Sequence, residues 1–171
     1  MTSSGPVRHE ILMWEDIDQL MDVLIPQITS VPAFDVLLII TRGGIIPGGL
    51  LAEALDIRTV LTASVDFPTE IERLALPKFL QFPEDALLAG RRILIVDDVW
   101  GSGRTSTAVL GRVEAAHGDA ATCVFHFNPY RSLFARTKPD FYGAVTDAYI
   151  VYPWELDRGL RGIRLGSSKG N

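Results

Sequence analysis

Ile93-Leu94-Ile95-Val96-Asp97-Asp98-Val99-Trp100-Gly101-Ser102-Gly103-Arg104-Thr105 holds three physically linked parts. The aliphatic run Arg92 to Val96 reads as a strand buried on both faces, because it is continuous rather than alternating. The loop of small residues lets backbone N–H groups converge on one point, since glycine removes Cβ and widens the accessible φ/ψ. Gly103 to Ala116 reads as a helix, with Gly118 placed to stop it, and its first turn adds free N–H groups and the positive end of the helix dipole. Ser102, Thr105 and Ser106 add hydroxyl donors, and the whole is a pocket for a phosphate monoester. Asp97 and Asp98 would repel a bare phosphate. They fit if they accept hydrogen bonds from sugar hydroxyls, or help hold Mg²⁺ through water. A ribose with a 5′-phosphate and vicinal hydroxyls satisfies both halves.

Two common phosphate motifs do not fit. The P-loop needs GxxxxGK followed by Ser or Thr, which is absent. The dinucleotide fingerprint GxGxxG would put glycine where Ser106 stands, and it leaves the paired acids unexplained.

Outward from this segment the chain alternates. Ile17, Leu20, Met21, Leu24 and Ile28 mark one face of a helix beginning at Trp14, with Pro26 expected to end or kink it. Val36 to Ile40 reads as a buried strand, 47–55 as a helix with Pro47 in its first turn, and 57–61 as another strand. Residues 64–89 carry Pro68, Pro77 and Pro83 and read as a long excursion with a hairpin or short helix, a flexible flap or an ordinary packed insertion. Ala121 to Phe127 and Tyr149 to Tyr152 are further strands. The order predicts an α/β fold, a mainly parallel central sheet flanked by helices. In such a sheet the strand ends share one edge, so Arg42, Gly43 and Gly44 can meet Asp97 and Asp98.

Residues 1–10 are expected to form a loose leader, 11–156 the domain, and 157–171 a Gly/Arg-rich, loosely ordered tail. The chain has 171 residues, 47% of them hydrophobic, enough for one domain with a substantial core. Its net charge of −5 and pI of about 5.1 argue against a nucleic-acid binder that relies on broad phosphate neutralisation. The single cysteine, Cys123, lies in an apolar run and excludes an internal disulfide or a Cys-based metal cluster. The start has no apolar signal region and no stretch approaches a membrane span, so a reducing cytoplasm is the expected setting.

At residues 93–105 the sequence resembles the type I phosphoribosyltransferases, whose donor-binding motif is four aliphatic residues, two acids and a Gly/Ser/Thr loop. Thr41-Arg42-Gly43-Gly44-Ile45-Ile46-Pro47-Gly48-Gly49-Leu50-Leu51-Ala52 resembles the pyrophosphate loop of the xanthine-guanine and related purine enzymes. Tyr149-Ile150-Val151-Tyr152-Pro153-Trp154-Glu155 is similar to their closing segment. The resemblance spans 12–155.

It implies a type I phosphoribosyltransferase fold, Mg²⁺ as cofactor, phosphoribosyl pyrophosphate and a nucleobase as ligands, and a homodimer or homotetramer. Asp97 and Asp98 would orient the ribose and meet the metal through water, while Gly101, Ser102, Gly103, Arg104, Thr105 and Ser106 cradle the 5′-phosphate. Arg42, Gly43 and Gly44 would bind pyrophosphate, with a strained or cis peptide near Arg42-Gly43. Tyr149 would stack on the base, Ile150 offer backbone groups to its edge, and Glu155 reach Mg²⁺ or an exocyclic amine.

Two positions depart from the family pattern. Gly101 stands where 6-oxopurine enzymes often carry aspartate, and Asn128 where a lysine commonly donates to the 6-oxo group; Asn128 can still donate, without charge. Both lie on the base half, and they keep open a second function: a non-catalytic sensor of phosphoribosyl pyrophosphate or a nucleotide. His126 alternates with Phe125 and Phe127 and reads as structural. Trp100 either lines the pocket or packs on the helix.

Overall fold

The computed structural model describes residues 8–67 and 76–156. The elements are β1 (His9–Ile11), α1 (Trp14–Thr29), β2 (Val36–Ile40), α2 (Ile45–Ala54), β3 (Val60–Asp66), β4 (Lys78–Gln81), a 3₁₀ turn (Asp85–Leu87), β5 (Arg92–Trp100), α3 (Arg104–Ala115), β6 (Asp119–Phe127), β7 (Phe141–Val145), β8 (Tyr149–Val151) and α4 (Pro153–Leu156). Six strands form one sheet in the order β4-β3-β2-β5-β6-β7. All neighbours are parallel except β3 and β4.

Strand pleating divides the aliphatic runs between two cores. Leu37, Ile39, Leu94, Val96, Cys123 and Phe125 face α1 and α2, meeting Ile17, Leu20, Leu24 and Leu51. Val36, Leu38, Ile40, Ile93 and Ile95 face α3, meeting Val109 and Val113. Every residue of β2 is buried, as a strand covered on both faces requires.

Several boundaries differ from the sequence expectation. Pro26 does not end α1, which runs on to Thr29. The α2 helix starts at Ile45, so Pro47 lies in the first turn, where its missing N–H costs no intrahelical hydrogen bond. β3 starts later and runs longer than 57–61, into the excursion, where it pairs antiparallel with β4 as a hairpin. Residues 68–75 of the excursion lie outside the described residues, as does the 157–171 tail.

At the end of α3 the left-handed residue is His117, with φ 62°, not Gly118. His117 donates to the Glu114 carbonyl and Gly118 to that of Val113, a Schellman pattern. Gly118 is small because a Cβ there would press on Val113 Cγ1 at 2.7 Å.

Two strands were not read from the sequence. β7 forms an edge of the main sheet, and its Gly143 lets α1 close in: a Cβ there would lie 2.7 Å from Leu20 Cδ2. His9–Ile11, assigned mostly to the loose leader, instead pairs in parallel with β8 as a separate two-stranded sheet. Tyr149–Val151 is therefore a strand, but outside the main sheet.

Candidate functional site

The chain leaves β2 toward β3 on one side and leaves β5 toward β6 on the other. The crevice between the C-terminal ends of β2 and β5 is thus the point where the winding reverses, the default ligand site of an open parallel sheet. Residues 41–44 and 97–105 flank it.

A cavity of about 480 Å³ opens there, lined by Arg42, Gly43, Asp97, Asp98, Thr105 and Glu155 among others. A second, of about 200 Å³, is lined by Asp98, Gly101, Asn128, Arg131, Tyr149 and Tyr152, with Ile150 and Glu155. Asp98 and Glu155 border both, so they stand at the junction of two lobes. A third cavity, of about 260 Å³, lies by Ile28, Phe34, Leu55 and Ile57 and is walled by apolar side chains and Thr29. It offers almost nothing to orient a polar ligand.

Gly43 meets Asp98, and Arg42 lines the same cavity as both acids. A Cβ on Gly43 would fall 2.6 Å from Asp98 Cγ, so only glycine lets this loop approach the carboxylate. The cis peptide lies between Thr41 and Arg42, one bond before the Arg42-Gly43 link. Gly44 faces inward instead: a Cβ there would press on the Val96 and Ile40 carbonyls.

Strand β5 continues through both acids, and their side chains fold back on its end. Asp97 Oδ1 accepts the Asp98 N–H at 2.9 Å, and Asp98 Oδ1 accepts the Val99 N–H at 2.7 Å. Burial pushes both carboxyls above the usual carboxylate range, and the Asp98 charge pushes Asp97 further. A cation or a pair of hydroxyl donors would relieve that cost.

Gly103, with φ 79°, turns the loop into α3, and a Cβ on it would meet the Trp100 ring, 2.6 Å from Cε2. Trp100 is 1% exposed, packs edge-on against Phe127 and donates to Ser132 Oγ at 3.4 Å. It therefore packs under the loop and lines neither cavity. Among the described residues, the amides of Thr105 and Ser106 have no protein acceptor, as the first turn of a helix leaves them. Ser102 Oγ accepts the Arg104 N–H at 3.4 Å, and its carbonyl anchors Leu133. The Arg104 guanidinium lies 4.1 Å from the Phe67 ring centroid, tying the start of α3 to the end of β3.

In the smaller lobe Tyr149 is 42% exposed and its ring backs onto His9 at 5.4 Å. Ile150 is buried beside it. Tyr149 donates to the Arg8 carbonyl and Val151 accepts from Leu12, so by strand alternation the N–H and C=O of Ile150 point away from β1. Asn128 Oδ1 accepts the N–H groups of Tyr130 and Arg131, both at 3.2 Å, so its amide nitrogen is what can meet a ligand. Nothing stands within 4 Å of a Cβ built on Gly101, so the missing side chain leaves open space. Glu155 is held in place: its Oε2 accepts the Tyr152 N–H at 2.8 Å.

His126 is buried and lies 2.8 Å from the Tyr152 hydroxyl through Nδ1. Burial lowers its pKa to about 4, so it is neutral near pH 7. Tyr152 and Arg131 are polar lining residues to which the sequence alone assigns no role. The only signals were a second tyrosine before Pro153 and a cation three residues beyond Asn128.

Among the described residues, no three His, Cys, Asp or Glu side chains group to hold a metal by themselves. Magnesium seldom needs such a cage: it keeps waters and takes one or two carboxylates plus substrate phosphates. Asp97, Asp98 and Glu155 beside an anion loop fit that mode.

A model of the phosphoribosyl transferase domain family matches residues 11–153. Xanthine-guanine phosphoribosyltransferase from Cereibacter sphaeroides is 35% identical over 120 residues, covering 68% of this chain and 66% of that protein. The Roseobacter denitrificans enzyme of the same name is 32% identical over 122 residues, with the same coverage. The chain thus spans just under two thirds of the length of these curated relatives. Among solved structures, a purine phosphoribosyltransferase from Pyrococcus horikoshii superposes with TM-score 0.74 at 26% identity, over 86% of this chain and 94% of that one. A hypothetical protein from Neisseria gonorrhoeae with bound ppGpp superposes with TM-score 0.75 at 22% identity, over 94% of this chain and 97% of that one.

Proposed function

We propose, from the premise that this chain belongs to the phosphoribosyl transferase domain family, that it moves the 5-phosphoribosyl group from phosphoribosyl pyrophosphate to a nucleobase, a purine, and releases pyrophosphate. The observation that carries this is the meeting of Gly43 with Asp98 at the β2/β5 crevice, beside a loop built for phosphate. The larger lobe takes the donor. Thr105, Ser106 and the 101–104 backbone hold the 5′-phosphate, and Asp97 and Asp98 accept from the ribose diol. Arg42 and the Gly43 backbone face the pyrophosphate, where a planar, multi-donor guanidinium suits the departing charge.

The smaller lobe takes the base, with Tyr149 as its stacking face and Ile150 and Asn128 at its edge. A ring nitrogen of the base forms the new bond to C1′ as the bond to pyrophosphate breaks, and the proton that nitrogen carried is given up to water. The chain contributes positioning and stabilisation of the leaving group's charge. Asp97, Asp98 and Glu155 are the residues that would hold Mg²⁺, which supplies charge neutralisation on the pyrophosphate when bound. The chain acts as a homodimer or homotetramer in purine salvage in the cytoplasm. No helix among the described residues is long and apolar enough to cross a membrane.

The test is incubation with donor, Mg²⁺ and a panel of bases. Pyrophosphate release that depends on one purine supports transfer. Replacing Asp97 and Asp98 together with alanine should lower that release at least ~100-fold, the scale of losing key transition-state contacts. Near-normal turnover in the double variant would remove the acids from the mechanism.

A second reading is favoured by Gly101, which cannot do acid–base work. In it the same pocket senses the donor or a nucleotide without turning it over. The Neisseria protein of similar fold, with ppGpp bound, supports keeping it. Tight donor binding with no release on any base would select it.

A further inference from the structure

Tyr152 is 1% exposed, and it touches the site in three separate ways. Its hydroxyl donates to the Asp98 carbonyl at 3.1 Å. Its ring stacks on Trp154, with centroids 4.5 Å apart and planes 6° from parallel. Its backbone N–H is the donor that holds Glu155 Oε2. Asp98 and Glu155 are the two acids shared by both lobes, and they come from β5 and from the segment after β8. One side chain therefore ties the ribose-side acid to the closing segment.

The phenol is itself fixed. A carbonyl can only accept, so the Tyr152 proton points at Asp98 and the His126 Nδ1–H donates to the phenol oxygen. His126 is 4% exposed and Tyr152 1%, so losing either partner leaves a buried polar group unpaired.

We infer that Tyr152, seated on His126, is a positioning residue that sets where Asp98 stands relative to Glu155 across the cleft. Its hydroxyl is taken up by His126 and the Asp98 carbonyl, so it acts through Asp98. The inference rests on the transfer reading for its catalytic consequence, but donor binding follows from the geometry alone.

The experiment measures donor affinity by calorimetry with Mg²⁺, and kcat/KM for the donor, in wild type, Tyr152→Phe, His126→Leu and His126→Asn. Circular dichroism and urea midpoints establish the folded fraction. Asn places a donor where Nδ1 stands, and Leu does not. Tyr152→Phe should weaken donor binding and lower kcat/KM about tenfold, the scale of one lost buried hydrogen bond. His126→Leu should do the same, and His126→Asn should recover to within about twofold of wild type.

Wild-type affinity in Tyr152→Phe overturns the inference. If that variant does not fold, the histidine pair decides: equal losses in His126→Leu and His126→Asn would mark a merely structural role. A wild type that binds donor but turns over no base overturns the transfer reading only, and the affinities still judge Tyr152. A wild type that binds no donor overturns both.

Discussion

At the scale of single residues, two neighbouring glycines separate function from stability. An alanine at Gly43 collides with the end of a side chain, Asp98, whose Oδ1 accepts the Val99 N–H. The carboxylate can swing away, so the fold survives but the diol acceptor is displaced. Gly43→Ala should weaken donor binding about tenfold or more, the scale of a hydrogen bond to a charged group, with little change in urea midpoint. An alanine at Gly44 meets the Ile40 carbonyl at 2.7 Å and that of Val96 closer still. These belong to the two central strands and cannot swing. Gly44→Ala should cost ~1–3 kcal/mol of stability, the usual range for overpacking. Calorimetry and urea unfolding on both variants check the pair. Equal affinity in Gly43→Ala and wild type would detach Gly43 from the donor site.

At the scale of elements, β1 is the piece most easily tested. It reaches the site through β8: Arg8 pairs with Asp147, and His9 backs the Tyr149 ring. No described residue of β1 lines the donor cavity. Removing residues 1–11 should therefore raise the KM for base about fivefold, on the order of 1 kcal/mol for lost ordering contacts, and leave donor affinity within about twofold. An equal loss on both substrates would deny the division into lobes. This element also shows where reading the sequence stops. β2, β5 and β6 were legible because their aliphatic runs are buried on both faces. β7 was not, because Gly143 and Ala144 dilute its pattern for the sake of close packing by α1. β1 is three residues long and becomes a strand only by pairing with β8, a contact local periodicity does not encode. The phosphate loop and paired acids were legible because they are contiguous. Tyr152 and Arg131 were not, because tertiary packing alone brings them to the base lobe.

At the scale of the whole molecule, buried His126 and partly buried Asp97 act oppositely on stability as pH changes. His126 has a folded pKa of about 4 against about 6.5 when unfolded. As pH falls through 6.5 the unfolded chain takes the proton first, so stability drops toward pH 4, by about 3 kcal/mol over the full window. Asp97 is raised above the unfolded value of 3.8 by burial and by Asp98. The folded chain keeps that proton longer, so the stabilisation is full below 3.8 and is lost as pH rises through the raised value. Above pH 4 the two windows overlap and their slopes oppose, so the wild-type profile should be shallow there. Asp97→Asn removes one slope while keeping an acceptor for the Asp98 N–H. It should steepen the fall in stability between pH 6.5 and 4, and it should exceed wild type in stability at pH 8, where no second ionised acid shares the site. His126→Asn should do the reverse, with stability rising as pH falls over the same range. Urea midpoints at half-unit steps from pH 4 to 8 read both slopes, and parallel profiles for all three proteins would mean that neither burial is felt in folding. The stability gained by Asp97→Asn should come with loss of transfer, because the buried charge that costs the fold is the one proposed to hold the ribose.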